Sequence, residues 1–180
     1  MLVAMSPCRY AFISLLAVRP FMSKKMPNSR PISVVVLAAG LGTRMQSNLP
    51  KVLHPIAGQP MIRHLLASIN ELQPDRIIVV TDANNKELRK AVEPHLVAIQ
   101  DKPLGTGHAV LQAADLLADF DGDILILFGG DPLISSENMA RLLERRHQKD
   151  NPAAVVLGFR PANPGLYGRL IFNEKGQLTR

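Results

Sequence analysis

Short apolar, β-branched runs alternate along this chain with stretches in which apolar residues recur every three or four positions. The runs are Ser33–Leu37, Arg76–Thr81, His95–Ile99, Asp123–Phe128 and Ala153–Phe159. Their length and content predict buried strands. Between the first two, Met61, Ile62, Leu65, Leu66 and Ile69 fall on one helical face. Pro60 suits the first helical position and Pro74 marks the exit. Asn84 or Asn85 is placed to cap a short helix through Val92, which stops before Pro94. A third helix is expected over His108–Leu117. Ser135 caps a fourth, with Glu137 in its first turn and Arg145, Arg146 and His147 near its end. That is the charge order a helix dipole favours. Tyr167–Arg180 reads as a hairpin whose second strand is cut off.

Strand–helix alternation predicts an α/β fold with a mainly parallel sheet and helices on both faces, a Rossmann-like three-layer arrangement. Ligands of such sheets sit beyond the carboxyl ends of the strands. The loops expected to converge there are 38–51, 81–85, 100–107 and 129–132. The domain is expected to occupy residues 31–180 and to be incomplete at its C-terminus.

Of the 180 residues, 47% are hydrophobic, enough for a globular core. The net charge of +6 suggests nucleic acid, but its distribution removes that reading. Residues 1–30 hold Arg9, Arg19, Lys24, Lys25 and Arg30 and no acid, while the remainder holds 16 basic and 15 acidic residues. A basic groove is not expected. Cys8 is the single cysteine, so no internal disulfide forms and a reducing, cytoplasmic compartment is expected. The apolar stretch Tyr10–Val18 is too short to span a bilayer, and Arg19-Pro20-Phe21 follows it in place of a small-residue cleavage site. Residues 1–30 are therefore expected to be an unstructured or mis-started leader.

The candidate chemistry lies in Leu37-Ala38-Ala39-Gly40-Leu41-Gly42-Thr43-Arg44-Met45, followed by Pro50-Lys51. A strand that opens into a Gly-rich loop with cations downstream makes a phosphate cradle. Backbone N–H groups point into one concavity, glycine lets the chain approach closely, and the cations neutralise a polyphosphate. No Gly-Lys-Ser/Thr closes the loop, so it is not a Walker A motif. Met45 stands where a dinucleotide fingerprint has its third glycine.

From Val34 to Arg180 the sequence resembles the uridylyltransferase domains of the bacterial bifunctional N-acetylglucosamine-1-phosphate uridylyltransferase/glucosamine-1-phosphate acetyltransferase family, within the MobA-like nucleotidyltransferase superfamily. The motifs are the opening loop, Leu49-Pro50-Lys51-Val52-Leu53-His54, Ala57-Gly58-x-Pro60-Met61, Gln100, Leu104-Gly105-Thr106-Gly107-His108-Ala109, Pro132-Leu133-Ile134 and Tyr167-Gly168-Arg169. The resemblance implies transfer of uridylyl from UTP to N-acetylglucosamine 1-phosphate, releasing pyrophosphate, with Mg2+ as cofactor. It places Leu37, Ala38, Ala39 and Gly40 against uracil and ribose, with Gly42 and Thr43 in the same nucleotide loop. Arg44 and Lys51 hold the triphosphate and stabilise charge on the α-phosphoryl group. Gln100, Gly105 and Thr106 contact the base, and Gly168 the sugar. The implied partners are UTP and a sugar 1-phosphate, without nucleic acid or membrane.

One departure concerns the metal. The family reads Gly-Asp-x-Pro after the fourth strand, and that Asp is a metal ligand. Here the residues are Gly129-Gly130-Asp131-Pro132. One residue of offset along extended backbone turns a side chain to the opposite side. Either Asp131 reaches the metal through a rearranged loop, or the ligand is lost. A second departure is length. The family's sugar-gripping Glu and Asn, its second metal ligand and its trimer contacts lie beyond Arg180, so low turnover is expected. The alternatives are another nucleotidyltransferase of this fold, or an inactive nucleotide-binding fragment.

The five histidines show no metal-ligand spacing; packing or capping roles are expected for His64 and His108. Asp115, Asp119, Asp121 and Asp123 read as a solvated turn at the far end of the sheet.

Overall fold

Ile32–Leu37 form strand β1, and both neighbouring strands run parallel to it. The structure is a computed structural model that describes residues 30–40, 42, 45–174, 178 and 179. The expectations for residues 1–29, Thr43 and Arg44 lie outside the described residues. The described chain divides into two compact units that part between Ala140 and Arg141.

In the first unit, β1 is followed by a 3-10 turn at Lys51–Leu53 and a small hairpin of β2 (Pro55–Ile56) and β3 (Gln59–Pro60). Then come α1 (Met61–Asn70), β4 (Arg76–Thr81), α2 (Lys86–Ala91), β5 (Leu96–Ile99), α3 (Thr106–Leu111) and β6 (Asp123–Phe128). Helix α4 spans Ser136–Arg146, and the second unit begins within it. The four long strands form one parallel sheet in the order β5-β4-β1-β6. The chain winds outward from β1 through β4 to β5, then returns to place β6 on the other side of β1. The winding direction therefore reverses between β1 and β6.

The central strands β1 and β4 are buried on both faces, as the interior of a parallel sheet requires, whereas Ile124, Ile126 and Phe128 leave one face of β6 exposed. On one face Val35, Ile78, Val80 and Ala98 pack with Ala109 of α3 and Ala113 just beyond it. Val34, Val36 and Val79 point the other way and are equally buried. Right-handed crossovers put α1 and α2 on that second face. The buried stripe of α1 is Ile62, Leu65, Leu66 and Ile69, the predicted face apart from its half-buried first residue, Met61. The start of β1 is pinned from both sides. Ile32 and Asp75 exchange hydrogen bonds, Ile32 N–H to Asp75 Oδ2 at 2.9 Å and Asp75 N–H to the Ile32 carbonyl at 2.8 Å. Asp123 N–H donates to the Pro31 carbonyl at 2.9 Å.

Four predicted strands are present with ends within one residue of expectation. The two side-chain caps also form: Asn85 accepts from Leu88 N–H at 2.9 Å, and Ser135 Oγ from Asn138 N–H at 3.3 Å. Three expectations need correction. Pro60 precedes α1, paired with Pro55 in extended conformation, and does not open it. The third helix starts at Thr106 and ends at Leu111, with a separate 3-10 turn at Asp115–Leu117. Bonds from Gln112 to Ala109 and from Ala113 to Val110 close three-residue turns that end the α pattern. Residues 153–159 form no strand and pair with no described strand. Within the second unit their Phe159 ring meets Tyr167 edge-on, 5.0 Å between centroids. Of the expected C-terminal hairpin, one antiparallel bridge between Phe172 and Leu178 is described.

Candidate active site

The loops that leave β1 and β6 border a concavity of about 290 Å³ lined by Leu37, Ala38, Gly40, Gly42, Lys51, Val52, Phe128, Gly130 and Asp131. It opens at the carboxyl ends of the two strands between which the winding reverses. The ladder fixes its rim. Ala38 N–H donates to the Val80 carbonyl at 2.8 Å and Gly129 N–H to the Leu37 carbonyl at 2.9 Å, so both loops start from held positions.

Lys51 is placed by its neighbours. Val52 and Leu53 are buried, which anchors the 3-10 turn that carries the lysine. The His54 ring sits with Nε2 3.1 Å from the Leu49 carbonyl, tying the two sides of that turn together. Two glycines border the Lys51 side chain. Gly42 has φ +59°, and a Cβ built there would stand 2.8 Å from the Cβ of Lys51. A Cβ on Gly130 would stand 2.6 Å from Lys51 Nζ. Gly40 faces open space.

Asp131 lines the same cavity as Gly130. Its N–H donates to the Phe128 carbonyl at 3.0 Å, which closes a turn. The alternation argument made for extended backbone does not hold in a turn, and the two residues need not face opposite sides. Asp131 is the lone carboxylate among the described lining residues, and no group of three or more His, Cys, Asp or Glu there is arranged to hold a metal ion. This donor set does not fit a resident magnesium ion, which needs carboxylates backed by further oxygen ligands.

Gln100, Gly105 and Thr106 stand at the carboxyl end of β5 and are not in that lining. The sheet order puts them two strand spacings from β1, about 10 Å. Gln100 is buried, and its amide nitrogen donates to the Gly105 carbonyl at 3.3 Å and lies 3.0 Å from His108 Nδ1. His108 thereby steadies this loop, the packing role expected for it; His64 likewise bonds the Ile56 carbonyl at 2.8 Å. Ala39 packs under the α3 face beside the cavity. Gly168 belongs to the second unit, in a turn where Arg169 donates to the carbonyls of Gly165 and Tyr167.

The cavity therefore gathers Leu37, Ala38, Gly40, Gly42, Lys51 and Asp131 of the residues singled out in the sequence. Val52, Phe128 and the supporting His54 were not expected there, while Gly130 comes from the 129–132 loop that was. Lys51-Val52-Leu53-His54 was visible as a motif, but its packing role shows only in three dimensions.

Residues 34–180 match the MobA-like NTP transferase domain. The chain belongs to that family. Among curated relatives of this NTP transferase, the bifunctional protein GlmU of Paramagnetospirillum magneticum is 51% identical over 148 residues, covering 82% of this chain and 33% of the relative. The GlmU of Rhodospirillum rubrum is 49% identical over 144 residues, with 80% and 32% covered. The chain thus spans about a third of the length of these relatives. A solved nucleotidyl transferase from Methanothermobacter superimposes with a TM-score of 0.54 at 28% identity, covering 63% of this chain and 57% of that one. The Rv0371c protein of Mycobacterium tuberculosis shares the fold, with a TM-score of 0.56 at 21% identity over 65% of this chain and 61% of its own. No described helix is long and apolar enough to cross a membrane.

Proposed function

We propose that this NTP transferase domain binds UTP and acts in uridylyl transfer to N-acetylglucosamine 1-phosphate. The observation that carries the reading is the cavity at the β1/β6 reversal, in which a Gly-rich backbone and one lysine face the same space. The relatives at about 50% identity are GlmU proteins, which favours UTP over other nucleotides.

In this reading the triphosphate lies over Gly40 and Gly42, with Lys51 and Arg44 on its oxygens and Thr43 in the same loop. Leu37, Ala38 and Ala39 border the ribose. The base extends along the sheet edge toward Gln100, Gly105 and Thr106, and a sugar contact is the role the resemblance implies for Gly168. A phosphate oxygen of the sugar 1-phosphate attacks the α-phosphorus in line. The bond to the bridging oxygen of the β-phosphate breaks, and pyrophosphate leaves. No general base is needed, because the attacking phosphate is already ionised. Charge grows on the α-phosphoryl and leaving oxygens, so fixed cations and N–H dipoles provide the stabilisation. Magnesium would enter with the nucleotide and not as a resident ion, and would supply further positive charge for the leaving pyrophosphate. The substrates are soluble small molecules, consistent with a cytoplasmic site of action.

Calorimetry with UTP, CTP, ATP and GTP tests the reading. UTP is expected to bind most tightly, and Lys51→Ala to weaken it. A preference for CTP or a purine nucleotide would point to another transferase of this fold. Pyrophosphate release in the presence of N-acetylglucosamine 1-phosphate then tests the transfer itself.

A further inference from the structure

A Cβ on Gly130 would stand 2.6 Å from Lys51 Nζ, 3.0 Å from its Cε and 3.4 Å from its Cδ. The space where a side chain at position 130 would begin is filled by the charged end of the lysine. At its other end the Lys51 Cβ lies against Gly42, where a Cβ would come within 2.8 Å. Lys51 therefore lies in a slot with a glycine at each end. Among the described residues it has no ion-pair partner. The resemblance implies a metal-holding acid at position 130. This chain has no acid there, and the charge in that space is positive. An ammonium is a compact point charge with three donors, suited to phosphate oxygens. It also repels a divalent ion placed beside it.

We propose that the Lys51 ammonium, seated in the room that Gly130 leaves, is the fixed cation of this site, so that the chain binds a polyphosphate without a divalent ion. The assignment rests on the nucleotide-site reading only for the identity of the ligand; the polyphosphate chemistry stands without it. Gly130 is a positioning residue, acting through Lys51. Its substitution by Ala adds bulk alone, whereas Asp adds bulk and a charge that pairs with the ammonium.

The test is calorimetry on the full 180-residue chain, with tripolyphosphate and with UTP, in EDTA and in magnesium. The unmodified chain is expected to bind both at least as tightly in EDTA as in magnesium. Gly130→Asp is expected to lose about tenfold or more in EDTA, the scale of one charge-assisted hydrogen bond, and to recover on adding magnesium. Gly130→Ala should remain independent of magnesium. If Gly130→Asp gives no cooperative melt, Lys51→Gln replaces it, with a similar loss in EDTA that magnesium does not restore. Binding by the unmodified chain that disappears in EDTA and returns with magnesium overturns the proposal. So does a Gly130→Asp variant that binds in EDTA as the unmodified chain does, or an absence of tripolyphosphate binding altogether. UTP binding no tighter than tripolyphosphate would instead defeat the uridylyl-transfer reading and leave the cation assignment standing.

Discussion

Arg76 and Asp119 meet in a two-pronged ion pair, Nη1 to Oδ1 at 2.7 Å and Nη2 to Oδ2 at 2.9 Å. The same guanidinium donates to the Leu116 carbonyl at 2.8 Å and lies over the Phe120 ring, 5.6 Å from its centroid. The first residue of β4 is thereby tied to the segment that follows α3. The acids at this end of the sheet are more than a solvated turn, since Asp123 is also buried.

The hydrogen bond from Arg76 is the largest of the causes that hold the Asp119 carboxyl down, from 3.8 to about 2. A carboxyl depressed on folding stabilises the native state fully above its unfolded value. That contribution fades as pH falls through the folded value. The Tm advantage of the unmodified chain over Asp119→Asn is therefore expected to be complete above about pH 5 and to shrink as pH approaches about 2. A Tm difference constant across that window would show that the substitution costs packing and not charge.

Lys51→Ala is expected to weaken UTP binding by roughly 1.5–3 kcal/mol, the range for hydrogen bonds to charged groups. Uridine, which has no phosphates, should bind the variant and the unmodified chain alike. Equal losses for both ligands in calorimetry would mean that the lysine acts through folding.

Gly42→Ala combines two costs. A residue with a Cβ at φ +59° is strained by about 1 kcal/mol, and the new methyl meets Lys51 at its Cβ, close to the backbone, where the side chain has little freedom to move. A lower melting temperature and weaker UTP binding are both expected. Gly40→Ala, with open space around the added methyl, should leave stability nearly unchanged. If the two variants melt alike, the slot described for Lys51 is wrong.

Leu65→Ala removes a fully buried side chain from the core stripe of α1 and is expected to cost about 2–5 kcal/mol in denaturant unfolding. Asn85→Ala, which leaves Leu88 N–H without its cap, should cost about 1 kcal/mol. The reverse ranking would mean that α1 is not integral to the core.

The parallel sheet was legible because Val34–Val36 and Ile77–Val80 are continuous apolar runs, which only a strand buried on both faces needs. The clustering of Gly40, Gly42 and Lys51 was legible because one glycine-rich loop and the turn after it carry all three, and they line one cavity. Residues 153–159 have the same composition and form no strand; a strand depends on a neighbouring edge, and local sequence does not reveal one. The meaning of Gly130 was also out of reach. A glycine in place of an acid looks like a loss until Lys51 is found in the vacated space.

Among the described residues, β6 has a strand on one side only, and Ile124, Ile126 and Phe128 on it are 45–52% exposed. Leu125 and Leu127, alternating with them, are buried. An edge that pairs with no further described strand, beside three apolar side chains, is a template for further strand pairing. Self-association of the 180 residues along the β6 edge is expected to rise with concentration, which light scattering checks. Ile126→Lys would work as a gatekeeper there, improving solubility without touching the cavity between β1 and β6.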